Sequence, residues 1–343
     1  MRFALSVPAN LLLLGEYAVT EEGGLGIALA ASPRACVSVE EGASLEIAGA
    51  MGPTSFAWSE GREAAPPLIE ACLSETRKLL EARRAAEGAQ GSSGDPARGL
   101  GARIHIDSSA FFAADGSKLG FGSSAAVAVG LCAALLRIGG LEGGALEDSV
   151  FPAALAAHRR AQGGRGSGYD VAASRHGGLG LFEGGSSPRW TPLPDPARRA
   201  LGKLRLSLRS GPTPVSSSEA TGRYRAWADR ESRGRTAYLE AAAEAARAFA
   251  AASGALDILE LLEAAAARGI ELGEAIGVPA KPRRRAAAGD GRVDEPFEVG
   301  GPIEKCLGAG DELVLVAGLR EGRVGPGAEG PELRLENEGL RWE

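Results

Sequence analysis

The sequence predicts an α+β protein of two domains, divided near residue 200. Three observations carry that expectation. The chain has 343 residues, which is about two domains at roughly 150 residues each. It is 44% hydrophobic and 24% charged, enough apolar material for a full core and too much for disorder as the overall state. Strand-like alternation and helix-like spacing are interspersed without strict alternation, and no repeat period occurs.

Taken in order, Arg2–Val7 alternates and reads as a strand, and Ala35–Val39 and Leu45–Ala48 read as further short strands. Pro67–Ala86 carries apolar residues at helical spacing (Leu68, Ile69, Cys72, Leu79, Leu80) and reads as a helix. Glu87–Gly99 is rich in Gly, Ser and polar residues and reads as a loop. Arg103–Asp107 is another strand, and Ser123–Ile138 is a small-residue apolar helix suited to burial. Val150–Gln162 reads as a helix ending at Gly163. Leu204–Arg209 alternates and opens the second domain. Arg235–Ala252 and Ala255–Arg268 are alanine-rich helices separated at Ser253–Gly254. Lys281–Glu295 is basic, then polar, with weak patterning, and Glu312–Ala317 is a strand near the end. The expected domains are therefore 1–200 and 201–343.

Composition excludes several classes of function. The net charge of −6 argues against a general nucleic-acid binder. No uncharged apolar run of about 18 residues occurs, so no membrane partner is expected. The opening MRFALSVPANLLLLGEY has a short apolar run without the flanks of a cleaved signal and reads as part of the fold. Cys36, Cys72, Cys132 and Cys306 are far apart and lack metal-ligand spacing, which suits free thiols in a cytoplasmic protein. His105, His158 and His176 form no metal-spaced pair and read as structural, although His158 lies on the helix leading toward Asp170.

The sharpest chemical feature is Lys118-Leu-Gly-Phe-Gly-Ser-Ser-Ala-Ala126. Gly120 and Gly122 allow a tight turn and close approach of a ligand to the backbone. Hydroxyl residues and a long apolar helix follow, so loop N–H groups and the helix N-terminus can together receive an anion. The alternative reading is a serine cap after a glycine turn. Two other segments weigh on the choice. Ser6-Val-Pro-Ala-Asn-Leu-Leu-Leu-Leu-Gly-Glu-Tyr17 resembles the first motif of the GHMP kinases, Gly120–Ala126 resembles their second, ATP-phosphate motif, and Gly308-Ala-Gly-Asp311 resembles a shortened third. Within that superfamily, Ala157–Ala173 (AHRRAQGGRGSGYDVAA), Ser210–Ser218 (SGPTPVSSS) and Gly277–Pro282 (GVPAKP) look most like phosphomevalonate kinases.

The resemblance implies a ribosomal protein S5 domain 2-like N-terminal domain, a ferredoxin-like C-terminal domain and an active site in the cleft between them. It implies ATP and Mg2+ as cofactors and phosphomevalonate, or a related small acid, as acceptor. Asp170 would be the acidic residue at the transfer site, with Lys118 facing a phosphate. Gly120, Gly122, Ser123, Ser124 and Ala125 would cradle the nucleotide, with the Ser124 hydroxyl on the metal. Asn10, Ser167, Gly168, Ser216, Ser217, Ser218, Gly308 and Gly310 would form the acceptor end. Mevalonate or another small acceptor, or nucleotide binding without turnover, are the other readings. The pattern departs from the family at identifiable places. Asn10 stands where the first motif has lysine, Arg159 where related mevalonate kinases have a metal-binding glutamate, and Arg283-Arg284-Arg285 where a Gln-Thr pair is usual. Arg283–Arg285 or Arg165 are candidates to supply the missing positive charge.

Overall fold

The structure is a computed structural model describing residues 1–51, 54–62, 64–86, 101–113, 115–164, 166–211, 216–282, 302–308, 310–320 and 332–343. The expected loop Glu87–Gly99 lies outside the described residues, as do Arg165 and Arg283–Arg285. In chain order the elements are β1 (Phe3–Leu14), β2 (Leu25–Glu41), β3 (Glu46–Met51), β4 (Thr54–Ser59), α1 (Pro67–Ala86), β5 (Ala102–Asp107), α2 (Ser123–Ile138), α3 (Gly143–Ala161), α4 (Tyr169–His176), β6 (Leu179–Glu183), β7 (Arg189–Pro192), α5 (Asp195–Gly202), β8 (Leu204–Ser210), α6 (Ser217–Arg230), α7 (Ser232–Ala251), α8 (Ala255–Ile276), β9 (Ile303–Leu307), β10 (Leu313–Leu319) and β11 (Arg341–Trp342).

These elements form two compact units that interleave along the chain rather than dividing once. The first comprises Met1–Asn10, Ala30–Gly178 and Glu336–Glu343; the second comprises Leu11–Leu29 and Leu179–Leu335. The boundary therefore falls inside β1 and inside β2. Both strands are longer than their sequence pattern indicates, because β1 is buried along nearly its whole length and β2 through its first half. A strand buried on both faces loses the period-2 alternation that marks it.

In the first unit, β2 pairs antiparallel with β5, from Cys36↔Asp107 to Glu41↔Ala102, and β5 pairs parallel with β3. The β3–β4 hairpin closes one edge, and β11 closes the other through Leu5↔Trp342 and Ser6↔Arg341. Ala102, Ile104 and Ile106 of β5 face the core while Arg103, His105 and Asp107 alternate outward, as the pleat requires. α2 is buried almost all round, the mark of a core helix. It sits close to the strands at Gly130, where an added Cβ would come within 2.9 Å of Val37. α1, α3 and α4 pack around it. α3 starts at Gly143, well before the expected Val150, and runs through Pro152.

In the second unit, β6 pairs antiparallel with the first part of β2, from Leu25↔Glu183 to Leu29↔Leu179, and with β7. A separate antiparallel sheet has the order β8-β10-β9. Its register runs from Leu313↔Ser210 to Leu319↔Leu204 on one side of β10 and from Leu313↔Leu307 to Ala317↔Ile303 on the other. Ala220, Tyr224 and Ala228 of α6 pack with Leu272 and Ile276 of α8 and with Val278, flanked by Tyr17, Trp227 and Tyr238. Lys305 is buried at 2% exposure and forms an ion pair with Glu16. No helix among the described residues is long and apolar enough to cross a membrane.

Candidate active site

The glycine–serine loop begins with a conformational requirement. Gly120 (φ +77°) and Gly122 (φ +71°) both occupy the left-handed region, where a side chain is strained. Gly122 is the N-cap of α2, and no side chain caps that end. The first N–H groups of the helix therefore point into the loop without an intrahelical acceptor. A Cβ at Gly122 would fall 2.2 Å from Asn10 Oδ1, so glycine is demanded by packing as well.

Asn10 holds this turn in place. Its residue exposure is 2%. Nδ2 donates to the Gly122 carbonyl at 3.2 Å and to Ser174 Oγ at 3.0 Å. Ser174 passes its own proton to the Pro8 carbonyl at 2.8 Å, and the Asn10 N–H donates to the Phe121 carbonyl at 3.1 Å. One amide thus fastens β1, the glycine turn and α4 together, with both of its hydrogens engaged inside the protein.

The last turn of α3 brings His158 between the loop and Asp170. Ser124 Oγ lies 3.1 Å from His158 Nε2, and Gln162 Nε2 lies 3.1 Å from the same ring nitrogen. On the other side of the ring, His158 Nδ1 faces Asp170 Oδ2 at 3.6 Å. The His158 side chain is 3% exposed and that of Asp170 is 20% exposed, whereas Ser124 is exposed. Asp170 Oδ1 accepts from the Val171 N–H at 2.9 Å, so one carboxylate oxygen is fixed at the start of α4 while the other looks toward the histidine. Arg159 donates to the carbonyls of Gly166 (3.0 Å) and Ser167 (3.0 Å). It shapes the turn that delivers Asp170.

The first unit therefore gathers Asn10, the 118–125 loop, His158, Ser167, Gly168 and Asp170. Lys118 is exposed beside the loop and has no ion pair among the described residues. Ser167 is buried, with its carbonyl held by Arg159. Gly168 (φ +91°) is the N-cap of α4 and packs against Leu155. Ser216, Ser217, Ser218, Gly308 and Gly310 belong to the second unit. There Ser216 caps α6 by accepting from the Glu219 N–H at 3.4 Å. Ser217 and Ser218 are exposed in the first turn of that helix. Gly308 (φ +71°) and Gly310 (φ +80°) lead to Asp311, a fully buried carboxylate whose oxygens have no hydrogen-bond partner among the described residues. His158, Gln162 and Arg159 were not singled out as site residues by sequence. The available signal was their place on the helix that runs into the Asp170 turn, with His158 and Gln162 one helical turn apart.

A hydroxyl, a carboxylate and an uncapped helix start on one surface suit an anionic ligand accompanied by a hard cation. Among the described residues no group of three or more His, Cys, Asp or Glu gathers as a metal centre. A single protein oxygen at the loop, the exposed Ser124 hydroxyl, would suit Mg2+, which takes one or two protein oxygens and completes its shell with phosphate and water.

Residues 78–178, which contain the loop, His158 and Asp170, match the family model described as the GHMP kinases N terminal domain. No curated relative matches the chain at the sequence level. Among solved structures, the Lin0012 protein from Listeria innocua is similar with a TM-score of 0.69 at 19% identity, covering 94% of this chain and 92% of that one. The Methanococcus jannaschii mevalonate kinase gives 0.66 at 15%, covering 98% of each chain. The Streptococcus pneumoniae phosphomevalonate kinase in complex with phosphomevalonate and AMPPNP gives 0.63 at 17%, covering 92% of each. The chain thus takes the fold of these kinases over nearly its whole length, and residues 78–178 match the model of the GHMP kinases N terminal domain.

Proposed function

We propose that the chain is an ATP-dependent small-molecule kinase that phosphorylates phosphomevalonate to diphosphomevalonate. The observation that carries the kinase reading is the uncapped start of α2, opened by two left-handed glycines and joined to Asp170 through His158. The finer choice of acceptor rests on the AHRRAQGGRGSGYDVAA, SGPTPVSSS and GVPAKP segments. When bound, Mg-ATP supplies the phosphoryl group and neutralises its charge.

The residues then divide the work. Backbone N–H groups of Ser123, Ser124 and Ala125 receive phosphate oxygens at the positive end of the helix dipole. The Ser124 hydroxyl is the oxygen that would face the cation at the phosphate end, and Asp170, on the other side of the His158 ring, would orient the acceptor. An acceptor phosphate monoester has a second pKa of about 6 and is largely ionised at neutral pH, so no strong base is required. The difficulty is bringing two anions together, which is a matter of positioning and charge neutralisation. With Asn10 buried and uncharged, exposed Lys118 is a cation that the first unit presents beside the loop.

The test is ADP release from Mg-ATP with phosphomevalonate, with mevalonate and with no acceptor. Turnover with phosphomevalonate alone is expected. Turnover with mevalonate alone would move the acceptor assignment to an alcohol, and nucleotide binding with no turnover would replace the kinase by a binding protein.

A further inference from the structure

One side chain grips the turn between α3 and α4. Arg159, in the last turn of α3, donates from Nε to the Gly166 carbonyl at 3.0 Å and from Nη2 to the Ser167 carbonyl at 3.0 Å. Its own carbonyl accepts the Gly164 N–H at 2.8 Å, so the backbone and side chain of one residue hold both ends of the turn. The planar guanidinium suits two neighbouring carbonyls, because its N–H donors form a fixed fork.

That grip decides where the next N–H groups point. A peptide unit is planar, and in the trans form its C=O and N–H face opposite ways. Among the described residues the cis peptide bond is Ser32–Pro33, far from this turn. With the Gly166 and Ser167 carbonyls turned toward Arg159, the N–H groups of Ser167 and Gly168 are turned away from it, both to the same side. Neither has an acceptor among the described residues. Both residues are buried, where an unpaired N–H is rare and costly. Ser167, 9% exposed, also carries a hydroxyl without a hydrogen-bond partner among the described residues. Gly166 (φ +115°) and Gly168 (φ +91°) are left-handed at every second position, a backbone form in which successive N–H groups converge on an anion. The Asp170 carboxylate is engaged elsewhere: Oδ1 accepts from the Val171 N–H and Oδ2 faces His158.

We propose that Arg159 is a positioning residue: by holding the Gly166 and Ser167 carbonyls it presents the Ser167 and Gly168 N–H groups, with the Ser167 hydroxyl, as a seat for an anionic group of the acceptor. The guanidinium stands behind the seat and adds its charge without touching the ligand. The inference rests on the kinase reading above and deepens it, since it gives the acceptor's class as a molecule with a phosphate or carboxylate at the end that meets this turn.

The test has two parts. In amide-resolved NMR of the isotope-labelled intact protein without nucleotide, phosphomevalonate should move the Ser167 and Gly168 amide protons downfield, as N–H groups move on gaining an acceptor. Inorganic phosphate and mevalonate, titrated separately, tell a phosphate end from a carboxylate end. If either of these moves the two resonances while phosphomevalonate does not, the seat stands and the phosphomevalonate assignment falls. If none of the three moves them, the proposal is overturned, even where Ser123 and Ser124 respond and so uphold the phosphate loop. In calorimetry, Arg159→Met should weaken phosphomevalonate binding about tenfold or more, the scale of a lost charge-assisted hydrogen bond, and leave ADP affinity unchanged. Arg159→Lys should recover little of that loss, because an ammonium cannot reproduce the fork. Equal weakening of ADP and phosphomevalonate would reduce Arg159 to a structural role and overturn the proposal, as would unchanged phosphomevalonate affinity in Arg159→Met. The wild-type resonances and Arg159→Lys decide the matter if Arg159→Met does not fold.

Discussion

At the scale of single residues, Asn10 shows how a departure from a family motif can be read structurally. Its amide has a packing duty to the Gly122 turn and Ser174, and the residue is buried away from bulk solvent. Asn10→Lys, which would restore the usual motif residue, is therefore expected to cost about 3 kcal/mol or more of stability through an uncompensated buried charge. Urea unfolding would measure this, and an unchanged midpoint would mean that the lysine finds a route to solvent or to an anionic partner. His176 offers a second residue-level test. Its position in the last turn of α4 favours the protonated ring, but burial, with the Arg175 charge second, holds its pKa down to about 4 against an ordinary 6.5. The unfolded chain then binds a proton between those values that the folded chain refuses. Stability should be complete above about pH 6.5 and fall as the pH drops toward 4. His176→Asn should flatten that slope in denaturant melts at pH 4.5, 5.5 and 7.

At the scale of elements, α1 and α2 carry the bounds that the sequence indicates, Pro67–Ala86 and Ser123–Ile138. Both have long apolar patterns closed by breakers, so local signals suffice. The short elements were not legible in the same way. β11 is two residues long and exists because Leu5 and Ser6 offer an edge from the far end of the chain. α5, with eight residues, and β7, with four, are also short. Much of the candidate site was legible for the same reason that α2 was: Gly120, Gly122, Ser123 and Ser124 are contiguous, and residue type alone marks the turn. The His158 bridge was not, because it joins positions 34 residues apart whose meeting is decided by how α2 packs on α3. In the second unit, the α6–α8 contact is centred on Tyr224, fully buried and stacked on Tyr17 at 5.1 Å with an interplanar angle of 20°. Tyr224→Ala is expected to destabilise by about 3–5 kcal/mol. A loss under 1 kcal/mol in thermal or urea unfolding would show that the helices close over the gap.

At the scale of the whole molecule, the chain terminus is part of the first unit's architecture. Arg34 of β2 donates to Ser6 Oγ (2.9 Å), the Ser6 carbonyl (3.0 Å), Glu336 Oε2 (3.0 Å) and the carbonyls of Glu338 (3.1 Å) and Gly339 (2.6 Å). Arg137 lies over both Phe3 (4.4 Å) and Trp342 (4.8 Å), adding cation–π attraction to the same strap. Arg34→Ala should lower stability by about 2–4 kcal/mol, and Arg34→Lys should recover little of it, because an ammonium cannot reproduce the planar fork. Full recovery by lysine would reduce the contact to a point charge. Within the first unit, the strap ties β2 to β1 and the last residues, and the Asn10 clamp ties β1 to the glycine turn that precedes Ser124 and to α4, which carries Asp170. The central claim is that the surface carrying Ser124 and Asp170 transfers a phosphoryl group. Its most direct test is the rate of ADP formation from Mg-ATP and phosphomevalonate by Asp170→Ala, with folding verified by circular dichroism, against the wild type. A loss of about a hundredfold or more is expected from removing the group that positions the acceptor. Near wild-type turnover in the folded variant would contradict the account.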